Sequence, residues 1–130
     1  MSISIIITNR AKERLDTNDF VRWLNEKWPN LSIHYISEPN AYLLQFTVES
    51  KDGVIGRFSG TGISYKTYEG SRSDADFALW YRSIVPDHWE LEMYDSALTF
   101  EIFSLRNDSA IEDILAAFAV PFNPDNHILG

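Results

Sequence analysis

Apolar residues recur along this chain with two different periods. Ile3, Ile5 and Ile7 alternate with Ser2, Ser4 and Ile6, which predicts a strand with at least one apolar face. Residues 9–15 are polar and fit a loop or a short helix. The period then changes. Phe20, Trp23 and Leu24 stand at i, i+3 and i+4, with Val21 and Trp28 widening the stripe, and Asp16 or Thr17 is available as a cap. Pro29 predicts that this helix ends near Lys27. Alternation returns at 31–36, where Leu31, Ile33 and Tyr35 oppose Ser32, His34 and Ile36. After a turn at Glu38-Pro39-Asn40 it returns again at 41–50, where Leu44, Phe46 and Val48 oppose Gln45, Thr47 and Glu49.

Asp52-Gly53 signals a hairpin. A two-residue loop would set apolar Phe46 against Ser59. The three-residue loop Lys51-Asp52-Gly53 sets Phe46 opposite Phe58 and Thr47 opposite Arg57, so the longer loop is expected, with Gly53 left-handed in a bulge. The strand starting at Val54 carries Gly56, Gly60 and Gly62 and is expected to bend. The alternation around Ile63 and Tyr65 extends it, or a further strand, to about Tyr68.

Ser73 or Asp74 opens a second helix, with Phe77, Trp80, Tyr81 and Ile84 at i, i+3, i+4 and i+7, and Pro86 stops it. Segments 89–95 and 97–104 read as a last hairpin. Ser109 with Glu112 fits a capping box for a third helix carrying Ile111, Ile114, Leu115 and Phe118, and Pro121 ends it. The expected order is β-α-β-β-β-(β)-α-β-β-α. Short turns make the sheet largely antiparallel, with five to seven strands, and one apolar stripe per helix predicts three helices in a second layer. The class is α+β. Residues 1–121 form one domain and 122–130 a tail.

Composition changes this picture in two places. There is no cysteine, which excludes disulfides, thiol nucleophiles and Cys-ligated metal. The apolar run at the N-terminus lacks a basic flank and is too short for a signal peptide, and no stretch reaches membrane-spanning length, so a cytoplasmic setting is expected. The net charge of −8 argues against nucleic acid as a partner, because phosphate is bound mainly by Lys and Arg.

Catalytic patterns are absent. His34, His88 and His127 share no partner spacing, no G-x-S-x-G occurs, and Gly56-Arg57-Phe58-Ser59-Gly60-Thr61-Gly62 lacks the Lys-Ser/Thr and the helix of a phosphate loop. No cofactor or metal site is expected, and the chain reads as a non-enzyme.

Charge distribution supplies the functional expectation. Residues 74–101 hold seven carboxylates and one base, which is −6 of the total −8. A last hairpin turning at Asp95-Ser96 would pair Trp89 with Ile102, Leu91 with Phe100 and Met93 with Leu98. The same register sets Glu90 opposite Glu101 on the outer face, with Glu92 diagonal to them. Like charges facing each other are unfavourable by about 0.2–1 kcal/mol. A surface that keeps them is expected to dock something cationic. Glu90, Glu92, Asp95 and Glu101 would be the charged contacts, and Tyr94 and Phe103 the outward-facing anchors.

The run Phe77-Ala78-Leu79-Trp80-Tyr81-Arg82-Ser83-Ile84-Val85-Pro86, followed by Trp89-Glu90-Leu91-Glu92-Met93-Tyr94-Asp95, resembles small acidic bacterial α+β proteins, including immunity proteins of polymorphic toxin systems. The likeness covers about residues 75–118. It implies a cytoplasmic protein-binding module that neutralises a basic toxin domain, with no catalytic residues to carry over. Two other expectations stand beside it. One is a small-ligand site or enzyme centred on Arg57 and the glycine-rich 56–62. The other is a homo-oligomer joined through the strand of Ile3, Ile5, Ile6 and Ile7, should that strand lie at an edge.

Overall fold

The computed structural model describes residues 4–10, 13–36, 42–48, 54–66 and 72–127. The described residues form seven strands: β1 (Ile5–Asn9), β2 (Leu31–Tyr35), β3 (Leu44–Val48), β4 (Val54–Phe58), β5 (Gly62–Lys66), β6 (Leu91–Asp95) and β7 (Phe103–Leu105); the first six fall on expected segments, while the strand expected at 97–104 is reduced to β7 at its end. The 3.6-period segments form α1 (Thr17–Lys27), α2 (Arg72–Ile84) and α3 (Ile111–Phe118). The class is α+β, as expected. The strand order is β2-β3-β4-β5-β1-β6-β7, with every neighbouring pair antiparallel.

Helix boundaries follow local chemistry. The Asp16 carboxylate accepts the backbone N–H of Asp19 at 3.1 Å, a cap that stabilises a helix by about 1 kcal/mol. α1 stops at Lys27, two residues before Pro29. At α3 the expected Ser109–Glu112 box does not form. Ala110 is the N-cap, and its N–H donates to the Asp113 carboxylate at 2.9 Å, while Ser109 Oγ accepts the N–H of Arg106. Only the Asp113 half of a box is made, one residue out of step, because Ala110 has no side-chain acceptor and Ser109 closes the preceding turn.

β1 is interior, held between β5 and β6, so its apolar residues are not an exposed edge. Ile5 and Ile7 point into the core, and Ile6 lies between Ser64 and Tyr94 on the opposite face. An edge-to-edge dimer through β1 is therefore ruled out by topology. The edges are β2 and the three-residue β7.

The helices cover one face of the sheet and bury an aromatic cluster there. The Phe20 ring of α1 stacks on Phe58 of β4 with centroids 4.1 Å apart. Phe77 of α2 lies 5.7 Å from Phe46 and 4.6 Å from Tyr65, and Trp28 joins Phe77 and Trp80 at 5.3 and 5.0 Å. Such pairs each add about 0.5–1.5 kcal/mol beyond burial. Tyr65 is itself buried, donates its hydroxyl to the Asp74 carbonyl at 2.8 Å, and has its pKa pushed up by that burial.

This cluster sets the β3–β4 register. Phe46 stands opposite Gly56, not opposite Phe58, and Leu44 takes Phe58. A Cβ on Gly56 would come within 2.4 Å of Phe46 Cζ, so the ring lies across the space a side chain would fill. The pairing is shifted by two residues from the expected one, which preserves the faces. The expected left-handed Gly53 lies outside the described residues. Gly60 has a φ of +90° at the turn joining β4 to β5, where the N–H of Ser59 donates to the Gly62 carbonyl at 3.0 Å. The glycine-rich segment is thus a strand, a tight turn and a second strand.

The last hairpin departs most from expectation. Leu91 pairs with Leu105 and Met93 with Phe103, five residues beyond the expected register. The cause is Asp95, fully buried, whose carboxylate accepts the Thr99 N–H and hydroxyl, each at 2.7 Å, and the Phe100 N–H at 3.4 Å. That capture widens the turn. Phe100 then packs on Phe118 at 5.1 Å and bridges to Pro121.

Replacing Gly56 by Ala must displace the Phe46 ring from a filled cluster. G56A is expected to lower unfolding free energy by about 1–3 kcal/mol in urea titration. Pairing it with F46L is expected to recover part of that loss.

Candidate functional site

The five-residue shift rearranges every residue expected at the site. Glu90 is exposed just ahead of β6, Glu92 lies on β6 facing away from the helices, and Tyr94 follows on the same face opposite Ile6. These three remain together on the open side of the sheet. The other three do not join them. Asp95 is spent inside its turn. Phe103 pairs with Met93, so it points to the helical face and packs against the core. Glu101 does not oppose Glu90: its Oε2 accepts the N–H of Asn123 at 3.1 Å and its backbone N–H donates to the Val120 carbonyl, which ties it to the C-terminal segment. The expected face of opposed carboxylates does not form.

Near Glu90 there is a cleft of about 400 Å³, walled by the loops on either side of β6 and β7. Arg10 meets this surface from the end of β1: its N–H donates to the Glu90 carbonyl at 3.0 Å, and its Nε lies 3.1 Å from Glu92 Oε1. Continuing the β6–β7 register by one residue sets Arg106 across from Glu90. Glu90 is therefore flanked by arginines from both sides. The cleft lining carries Arg10, Arg82 and Arg106 against Asp87, Glu90 and Glu92, a charge balance of zero.

Arg82 holds the wall in place. It is buried near the end of α2, and its two terminal nitrogens donate to the carbonyls of Trp89, at 2.7 Å, and Pro86. Burial lowers its pKa, partly offset by Asp87. Its Nε has no hydrogen-bond partner among the described residues. The loop is pinned from outside as well. Asn107 donates its amide to the Asp87 carbonyl at 3.0 Å, and Glu13 Oε2 lies 2.7 Å from His88 Nε2 and accepts the indole N–H of Trp89. Those two bonds, His88 first, hold the Glu13 carboxyl below its ordinary pKa.

Sequence reasoning missed Arg10, Glu13, Arg82 and Arg106 as parts of this place. Arg10 and Glu13 come from the far end of the chain and have no local signal. Arg106 follows directly on β7, and the hairpin shift was needed to bring it beside Glu90.

Of the glycine-rich segment 56–62, Gly56 and Arg57 line a second depression, while Gly60, Thr61 and Gly62 do not. On the open face of β3, β4 and β5 lies a depression of about 260 Å³ whose lining includes Tyr42, Gln45, Arg57, Ser64 and Lys66. Among the described residues no group of three or more His, Asp or Glu side chains is placed to hold a metal, and no helix is long and apolar enough to cross a membrane. The sequence matches no protein-family profile, no curated protein and no solved structure.

Asp95 is expected to matter for folding. D95A leaves the Thr99 and Phe100 donors without their acceptor, and stability should fall by about 1–3 kcal/mol. E90Q, at an exposed position, should stay within about 0.5 kcal/mol of the parent in the same urea titration.

Proposed function

We propose that this chain is a non-catalytic protein-binding module whose partner docks at the loop end of the sheet, around the cleft beside Glu90. A protein that covers and neutralises a basic toxin domain fits this reading. What supports it is one observation: Glu90 is exposed at the cleft and makes no ion pair among the described residues, with Asp87 exposed beside it and engaged only through its longer-range attraction to Arg82. A cationic side chain of the partner entering the cleft meets these carboxylates without displacing an existing bridge. Glu92 contributes less, since Arg10 already engages it.

The contact surface thus moves from the outer face of the hairpin to the end of the molecule, and its charged contacts become Asp87 and Glu90. The net charge of −8 supplies long-range attraction for a basic partner, which acts on the association rate more than on the final affinity. The pinned loops suit such a role, because side chains on pre-ordered backbone lose less entropy on binding.

The test uses the basic protein that co-purifies with this chain from its native cell, then reconstituted from pure components. D87N/E90Q is expected to slow association about tenfold at low ionic strength, with the deficit shrinking as salt is raised. An unchanged association rate, or a partner with no basic surface, would overturn the reading.

A further inference from the structure

We propose that the depression on the open face of β3–β5 is a binding site for the phosphate group of a small soluble molecule, held by Arg57 and Lys66. The strand pairings bring these residues together. Gln45, Arg57 and Ser64 stand directly opposite one another in one row across β3, β4 and β5. Lys66 is two residues beyond Ser64 and opposite Ile55, which makes it the diagonal neighbour of Arg57 on the same face. Two cations are therefore side by side on adjacent strands.

In a chain with 19 acidic and 11 basic residues, neighbouring carboxylates are the ordinary way to offset such a pair. Here, among the described residues, neither Arg57 nor Lys66 makes an ion pair, and the lining of the depression contains no Asp or Glu. This contrasts with the cleft beside Glu90, where three arginines meet three carboxylates. The Arg57 guanidinium lies over the Tyr42 ring, 5.8 Å from its centroid. Packing against a ring face restrains the guanidinium plane and leaves its edge donors available for an oxyanion. Ser64 and Gln45 add a hydroxyl and an amide within the same lining, and both can donate to a phosphate oxygen.

Size and charge select the ligand class. The depression, at about 260 Å³, has room for one phosphate and part of the group that carries it. A polyanion such as nucleic acid would have to run on across a molecule of net charge −8, where phosphate binding gains too few cations. A single phosphate ester avoids that penalty. The site is separate from the protein-docking surface proposed above, so the two stand or fall independently.

The experiment is a titration of the full chain with inorganic phosphate at constant ionic strength, followed by backbone amide shifts in NMR. Sodium chloride and a short single-stranded oligonucleotide are run in parallel. Saturable shifts are expected at Gln45, Arg57, Ser64 and Lys66, with millimolar affinity. R57Q and K66Q are each expected to weaken binding about tenfold, as for loss of one charge-assisted hydrogen bond. The double variant should abolish it while the urea midpoint stays unchanged, since both side chains are exposed. E112Q serves as the control and should bind as the parent does. Shifts that chloride reproduces, shifts that do not saturate, or an oligonucleotide that binds more tightly than phosphate would each overturn the proposal.

Discussion

The Phe46 ring lying across Gly56 is the contact from which much of this molecule follows. It joins two strands at one register, because no other residue on β4 lets the ring come so close. It also anchors the cluster of Phe20, Phe58 and Phe77 that attaches α1 and α2 to the sheet. With the inner face fixed by these rings, the outer face has no freedom left. Gln45 must stand beside Arg57 and Arg57 beside Ser64, because side chains alternate with period two. Core packing therefore decides which polar groups meet on the solvent side.

A second constraint governs the other end of the sheet. Asp95 turns its carboxylate inward to satisfy backbone donors, and this decides where β7 begins. The consequence for charge is large. A register drawn from apolar matching alone set carboxylate against carboxylate. The actual one leaves Glu101 with the C-terminal segment and brings Arg106 beside Glu90. Arg10 arrives from β1 because that strand pairs directly with β6. An acidic stretch in the chain becomes a mixed surface in space, on which Asp87 and Glu90 stay exposed and, among the described residues, outside any close ion pair.

The two halves of the open face consequently differ in chemistry. Around β6 and β7, arginines and carboxylates offset one another, with Arg82 and Asn107 fixing the loop geometry. Around β3 to β5 the described residues lining the depression include two cations and no carboxylate. A chain that is acidic overall thus presents its basic depression in the middle of a strand row and its acidic rim at the sheet end.

The elements were legible in the sequence except the last strand, expected at 97–104 and found only at Phe103–Leu105. The helical stripe from Phe20 to Leu24 with Asp16 before it, the stripe from Phe77 to Ile84, and the alternating strands each carry their signal within a dozen residues, since side-chain period is a local property. The antiparallel α+β class followed from short connections. Register and strand order were not legible, and they determine both candidate sites. Phe46 chose Gly56 because of rings arriving from two helices, Asp95 chose backbone donors in place of solvent, and Arg10 reached Glu92 from the other end of the chain. Those choices depend on the volume and hydrogen bonding of groups remote in sequence. The pattern along the chain therefore determined what each segment would be, while tertiary packing alone decided which charges would stand together.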